Sequence, residues 1–476
     1  MNHVSSPALR MVLTLSIGLT GASIMAAGPV NLHAATPVVA PCESLYKKKP
    51  VPAKVLQTLV RAHERWMEQR SNPEGRRAEL CQADLSRASL AGANLERAQL
   101  EGVILRQANL HQANLSQASL AEANLSKAAL DYSILSGADL RRATLTGANL
   151  YRAIGDEAAL FNADLAGAKL REATFERAQL EGADLTAADL TDGAFLDAYF
   201  YGATMQGAVL LNADLSGTDL RRTVLTKANL NHANLQGALL DSARLDKAQL
   251  VEADLESAYL DEANLRGANL REAILRGADL RYAALQGANL SHTDLEGANL
   301  EQASLVKANL QSAKLPMAIL YHTELDQADF RNAYLNRAVL IGARGSRAIF
   351  ANADLSEIYA PKASLRQSQF NEAGLESANF VGADLSGSNF TGASLAHANL
   401  QEANLRDAVL VKTDLTGARL DLADLRGTDL RGATLTSVTG LTQAQLDTTC
   451  VDERTKLPPE LNRPAPCSPV KKRTKQ

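Results

Sequence analysis

The chain has 476 residues, 46% of them hydrophobic but only 4% aromatic. Its apolar content is therefore mostly Ala and Leu, which argues against a core built around large rings and for small, stackable side chains. The net charge of −4 hides three parts of different sign: residues 1–77 carry 10 basic and 4 acidic side chains, residues 438–476 carry 7 and 4, and the 32 basic and 45 acidic between them leave the middle at −13.

At the N-terminus an apolar stretch from Met11 to Ala27 stands behind Arg10 and runs into Gly28-Pro29. This is the layout of a secretory signal peptide over residues 1–27, predicting a periplasmic or secreted protein with no stable membrane insertion after cleavage. The alternative is an uncleaved anchor, for which this stretch is at the short limit. Cys42 is a poor lipoprotein site, because Pro41 precedes it and it lies beyond the apolar stretch. Residues 28–50 read as a flexible linker. From Pro52 to Arg70 a helix is predicted, with Pro near its start and Val55, Leu56, Leu59, Trp66 and Met67 spaced for one apolar face, then stopped by Ser71-Asn72-Pro73-Glu74-Gly75. Residues 51–77 are thus an N-terminal helical cap.

From Leu80 to Leu435 every fifth residue belongs to one row: of 72 positions 60 are Leu and eight are Phe, with only Gly155, Met205, Gly345 and Ala360 departing. Two residues before each of these, 60 of 72 are Ala, with larger intruders at Val103 and Ile358. A five-residue period scatters leucines around a 3.6-residue helix, so an α-helical reading fails. A five-residue unit also cannot bury its own apolar side, and is stable only when stacked on neighbours that continue the rows. The Asn or Asp before each Leu suits a tight turn, where its short side chain bonds nearby backbone. Segments such as Ala93-Asn94-Leu95, Ala183-Asp184-Leu185 and Ala403-Asn404-Leu405 resemble the pentapeptide-repeat family over residues 78–437. That resemblance implies an all-β solenoid: a right-handed quadrilateral parallel β-helix with four pentapeptides per coil, the Leu or Phe and the Ala pointing inward. Seventy-two repeats make about 18 coils, roughly 85 Å long at the strand-to-strand spacing.

Open β-helix ends invite pairing with other chains, so short α-helical caps are expected at both ends. Beyond the repeats, residues 438–467 form the C-terminal cap, where Thr442 and Gln445 have capping-box spacing; residues 468–476 are a basic disordered tail. The four cysteines lie outside the repeat interior, two towards each end. In an exported chain they suggest disulfides. If the solenoid reading holds, opposite ends are too far apart to meet, which leaves Cys42–Cys81 and Cys450–Cys467.

In a 20-residue coil, residues 20 apart share a face. His232 and His292 then stand about 14 Å apart, too far for one metal. Stacked acids at Asp241/Asp261 and Glu252/Glu272 come free with the coil, and Arg271 and Arg281 lie nearby to neutralise them. No catalytic residue, cofactor or metal site is predicted, and no nucleic-acid partner.

Naming each face by its first inward Leu, the Leu85 face sums to about +4, with Arg106, Lys127, Arg347 and Arg366, and the Leu95 face to about −9, with Glu96, Asp156, Glu256 and Glu296. The Leu80 face gathers six of the nine repeat-body tyrosines: Tyr199, Tyr201, Tyr259, Tyr282, Tyr321 and Tyr359. Its candidate protein-contact patch, or homodimer seam, is Ile319, Tyr321, Val339, Ile341 and Tyr359; a second is Phe161, Tyr199 and Tyr201. The function read from the sequence is an exported, non-enzymatic structural or protein-interaction scaffold. The rivals are a DNA-mimic protein acting on gyrase or another type II topoisomerase, as the resemblance allows, and, more remotely, a β-helix enzyme on polysaccharide.

Overall fold

The computed structural model describes Cys42, residues 44–68 and residues 75–465. The expected signal peptide over 1–27 and the basic tail over 468–476 lie outside the described residues. The chain divides into two units, 1–43 and 44–476. Only Cys42 is described in the first; the architecture below is that of the second.

The residue before each inward side chain bridges in parallel to the residue 20 further on, from Glu79↔Gln99 through Asn234↔Asp254 to Asp414↔Thr434. Four pentapeptides therefore complete one coil. Each coil hydrogen-bonds to the next on both sides of the bridge: the Leu85 N–H donates to the Ile104 carbonyl at 2.7 Å, and the Ile104 N–H to that of Ala83 at 2.9 Å. At each corner the N–H of the small inward residue closes a turn onto the preceding Leu, as Ala88 does on Leu85 at 3.0 Å. The second residue within such a turn has positive φ, +65° at Gly92 but also +59° at Arg87. Glycine takes this conformation freely, whereas other residues are held in it against their preference by the ladder bonds. The Asx residues act as anticipated: Asp84 Oδ1 accepts the Ser86 N–H at 2.9 Å, and Asn94 Oδ1 that of Glu96 at 3.1 Å.

Inside, the Leu, Phe and Ala rows form one continuous core, most members having no exposed surface. Four rings of one row stack through consecutive coils: Phe330, Phe350, Phe370 and Phe390, with centroids 4.9, 4.9 and 4.6 Å apart. Where Thr or Ser replaces the inward Ala, its hydroxyl generally finds a backbone carbonyl, as Thr218 does on Leu215 at 2.6 Å and Ser388 on Leu365 at 2.8 Å.

Helix α1, Ala53–Glu68, buries Leu56 and His63. The His63 Nε2 lies 3.0 Å from the Glu96 carbonyl, and its Nδ1 accepts the Ala78 N–H at 3.0 Å. The chain returns to the first coil against the helix backbone, where a Cβ on Gly75 would stand 2.7 Å from Trp66 Cα. The flexible linker expected through residue 50 ends earlier than that. Lys47 and Pro50 bridge to Ala83 and Asp84, and the Lys48 N–H donates to the Gln82 carbonyl at 2.7 Å. These bonds satisfy backbone groups on the first coil that would otherwise form an open edge.

At the far end α2, Gln443–Leu446, starts at Thr442 with a complete capping box to Gln445. The same Gln445 side chain donates to the Leu420 and Ala423 carbonyls, both at 3.0 Å. The segment after α2 extends the ladders, through Asp429↔Cys450 and Thr434↔Lys456. Cys42, Cys81 and Cys450 are all disulfide-bonded, while Cys467 lies outside the described residues. Among the described residues no helix is long and apolar enough to cross a membrane.

Candidate protein-contact surface

On each face the residue before the inward Leu and the one after it point outward, and the coil repeat stacks like positions into columns. On the Leu80 face one column runs Tyr199, Asp219, Leu239, Tyr259, Asp279, Asn299, Ile319, Val339 and Tyr359, joined by successive parallel bridges. The other runs through Tyr201, Arg221, Asp241, Asp261, Arg281, Glu301, Tyr321 and Ile341.

The residues picked from the sequence are not equally available. Ile319, Tyr321, Ile341 and Tyr359 are half-buried by their neighbours, and Val339 is 9% exposed. The Tyr321 ring packs edge-on to His322, 4.1 Å between centroids. In the second group Phe161 is half-buried, whereas Tyr199 and Tyr201 are exposed. Tyr259 and Tyr282, outside both groups, are the most open tyrosines on this face at 47% and 50%. Neighbouring β-branched and aromatic residues in adjacent coils shield one another; tyrosines interleaved with Asp and Arg do not.

Between these rings lie charged residues with distinct roles. Arg221 pairs with Asp219 and Arg281 with Asp279, each at 2.6 Å through two guanidinium nitrogens. Because those arginines are engaged, Asp241 and Asp261 form no ion pair among the described residues, and Asp261 Oδ1 is a buried oxygen without a hydrogen-bond partner. The neutralisation of Asp261 by Arg281 expected from proximity is thus replaced by Arg281 chelating its own Asp279. Burial pushes the Asp241 carboxyl above the usual range, opposed by its own backbone N–H and reinforced by the charge of Asp261. Burial also raises Asp261, with Arg281 opposing and Asp279 and Glu262 reinforcing. The other stacked pair is partnered: Glu252 lies 3.4 Å from His232, and Glu272 is bonded to Arg271.

A second cluster escaped the sequence reading, which weighed the Leu80, Leu85 and Leu95 faces; it lies on the Leu90 face. His111, Tyr132 and Tyr151 pack edge-on in series, with centroids 5.8 and 5.5 Å apart, and Arg152 sits 5.2 Å over Tyr151 while pairing with Glu172 at 2.5 Å. Ile134 and Ile154, 37% and 40% exposed on adjacent coils, adjoin it. The signal lay in aromatic residues one or two positions after the inward Leu of three successive coils, His111, Tyr132 and Tyr151.

A family model described as pentapeptide repeats (8 copies) matches the chain in overlapping segments over residues 76–154, 158–320 and 323–436. No curated protein sequence matches. Among solved structures, the chain is similar to HetL, a pentapeptide repeat protein involved in heterocyst differentiation regulation from the cyanobacterium Nostoc sp. strain PCC 7120. Identity is 38% over 46% of this chain and 89% of HetL, with a TM-score of 0.31. Rfr23 from the cyanobacterium Cyanothece 51142 is 29% identical over 22% of this chain and 63% of its own, with a TM-score of 0.16. QnrB1, a plasmid-mediated fluoroquinolone resistance protein, is 18% identical over 40% and 92%, with a TM-score of 0.21. With its five-residue rows, its 20-residue coil register and a family model covering most of its length, this chain belongs to the pentapeptide-repeat family.

Proposed function

We propose that this protein is an exported, non-enzymatic interaction scaffold that binds a protein partner, or a second copy of itself, along the Leu80 face between Tyr199 and Tyr359. The observation carrying this reading is that Tyr199, Tyr201, Tyr259 and Tyr282 stand 40–50% exposed on that one face. Exposed tyrosine beside arginine is the composition of interface hot spots, since the ring supplies large contact area at small entropic cost. The finer architecture, a right-handed stack of about 18 coils with helical caps and one disulfide per end, Cys42–Cys81 and Cys450–Cys467, belongs to the same proposal. Oxidised cysteines support a compartment outside the cytoplasm.

The DNA-mimic reading fits the charge poorly. Double-stranded DNA carries one charge per 1.7 Å or so, so a mimic of this length needs about 50 negative charges, against −13 in the repeat body. Local Asp–Arg pairs further reduce the outward field.

Co-purification from the native compartment, with cross-linking to retain weak partners, tests the proposal. Tyr199→Ser/Tyr259→Ser/Tyr282→Ser should lose the partner captured by the wild type while keeping its far-UV spectrum and melting temperature. Undiminished capture by the triple variant would refute the assignment of this face.

A further inference from the structure

We infer that the part of the Leu80 face bounded by Tyr259, Tyr282, Asp241 and Asp261 takes a basic segment of the partner, with an arginine or lysine side chain seated between the two aspartates. The inference rests on the reading of the Leu80 face as the contact surface and specifies what binds there.

Charge complementarity is the first argument. Over the coils from Leu239 to Tyr282 the outward residues of this face include Asp241, Asp261, Glu262 and Asp279 against Arg281 alone. Arg281 is spent on Asp279, and Arg221, one coil before Asp241, is spent on Asp219. Asp241 and Asp261 stand one coil apart, a spacing of about 4.8 Å, which a single planar guanidinium can span with one donor to each carboxylate. Two desolvated carboxylates left side by side cost free energy, and a cation between them removes that cost.

The rings give the second argument. On the same face Tyr201 already carries guanidinium groups, with Arg221 and Arg222 5.8 and 5.9 Å from its centroid. Among the described residues no cation is recorded over Tyr259 or Tyr282, though they are more exposed, and the Tyr282 hydroxyl is anchored by the Gln302 amide at 3.3 Å. An extended basic segment lying along the coil axis would set one cationic side chain between the aspartates and its neighbours against these rings.

The experiment uses the purified exported chain and a short fluorescein-labelled peptide of alternating arginine and glycine, followed by anisotropy at ~0.1 M salt, where long-range attraction is screened. A glutamate–glycine peptide serves as the negative probe. The Asp241→Asn/Asp261→Asn variant keeps side-chain shape and should bind the arginine peptide at least about tenfold more weakly, the range for losing a desolvated charge partner. Glu252→Gln/Glu272→Gln removes the same charge from the opposite, Leu90 face and should change affinity less than about twofold. Tyr282→Ser should weaken binding, and Tyr282→Phe, which keeps the ring, should retain it. Equal weakening by the two acid-to-amide variants would reduce the effect to general attraction to an acidic chain and overturn the inference, as would no binding by the wild type. If Tyr199→Ser/Tyr259→Ser/Tyr282→Ser loses the native partner while Asp241→Asn/Asp261→Asn keeps it, the contact face stands and the basic occupant is wrong.

Discussion

Gly155 occupies a position filled elsewhere almost always by Leu or Phe, and the sequence shows it only as a departure. In the structure the Phe175 ring, one coil on, fills the missing volume: a Cβ added to Gly155 would stand 2.2 Å from Phe175 Cε1. The two positions are one packing unit, a small residue traded against a large one across adjacent coils. Gly155→Ala should therefore lower the melting temperature measurably despite improving backbone propensity, and Gly155→Leu should be worse. Combining Gly155→Leu with Phe175→Leu, which restores the common residue at both positions, should recover stability. Additive losses in the double variant would show the pair to be independent. The row itself was plain from periodicity, but the trade was not, because it links residues 20 apart and only the coil length names the partner. The Asp-Leu-Arg triplets are the opposite case, fully local and readable once the turn is known. Asp139–Arg141, Asp219–Arg221 and Asp429–Arg431 all close the same bidentate pair, and at Asp424 the Arg426 side chain holds the carboxyl at about 2.

At the scale of elements, the apolar spacing of α1 identified the helix and its buried Leu56, but not its central anchor. His63 has no exposed surface, stacks on Trp66 with centroids 5.4 Å apart, and is bonded through both ring nitrogens to the first coil. A polar residue on an apolar stripe carries no sequence mark of this role; the unsatisfied Ala78 N–H and Glu96 carbonyl that it serves exist only once the coil is closed. Since Nδ1 accepts a hydrogen bond, the ring is neutral with its proton on Nε2. Burial holds its pKa below the ordinary 6.5, with Arg77 also lowering it and the Glu96 carbonyl and charge opposing. The unfolded cap then binds a proton that the folded cap does not, so stability is full above about pH 6.5 and falls as pH drops below it. Hydrogen exchange of the Ala78 and first-coil amides should accelerate several-fold between pH 7.5 and 5.5, beyond the intrinsic rate change. His63→Gln, which does not titrate, should flatten that dependence, and a persistent step in this variant would assign it to other groups.

For the whole molecule, the five-residue frame and the 20-residue coil make different demands. Core rows need only the first, because every inward position carries the same residue types. Surface patches need the second, because a face is defined by residues 20 apart. Sequence reading was therefore secure for the fold and for which face holds the tyrosines. It was weaker on exposure, where Val339 is covered by its own neighbours, and blind to the Tyr132–Tyr151 cluster, whose two tyrosines are too few to mark the Leu90 face by count. The separation can be tested by deletion. Removing residues 286–305, one full coil between Tyr282 and Ile319, leaves both parts of the Leu80 face aligned. Removing residues 286–290 alone keeps the Leu and Ala rows in frame but turns everything after the junction onto the adjacent face. Because each repeat is stabilised by its neighbours, both deletions should keep the far-UV spectrum and melt within a few degrees of the full chain. Their effects on partner capture should differ: the 20-residue deletion should retain it, whereas the five-residue deletion, which parts Tyr199–Tyr282 from Ile319–Tyr359, should weaken it by about tenfold or more if the contact spans both. Equal capture by the two would confine the contact to one side of the junction, and the Ile319–Tyr359 patch would then drop out of the proposed surface.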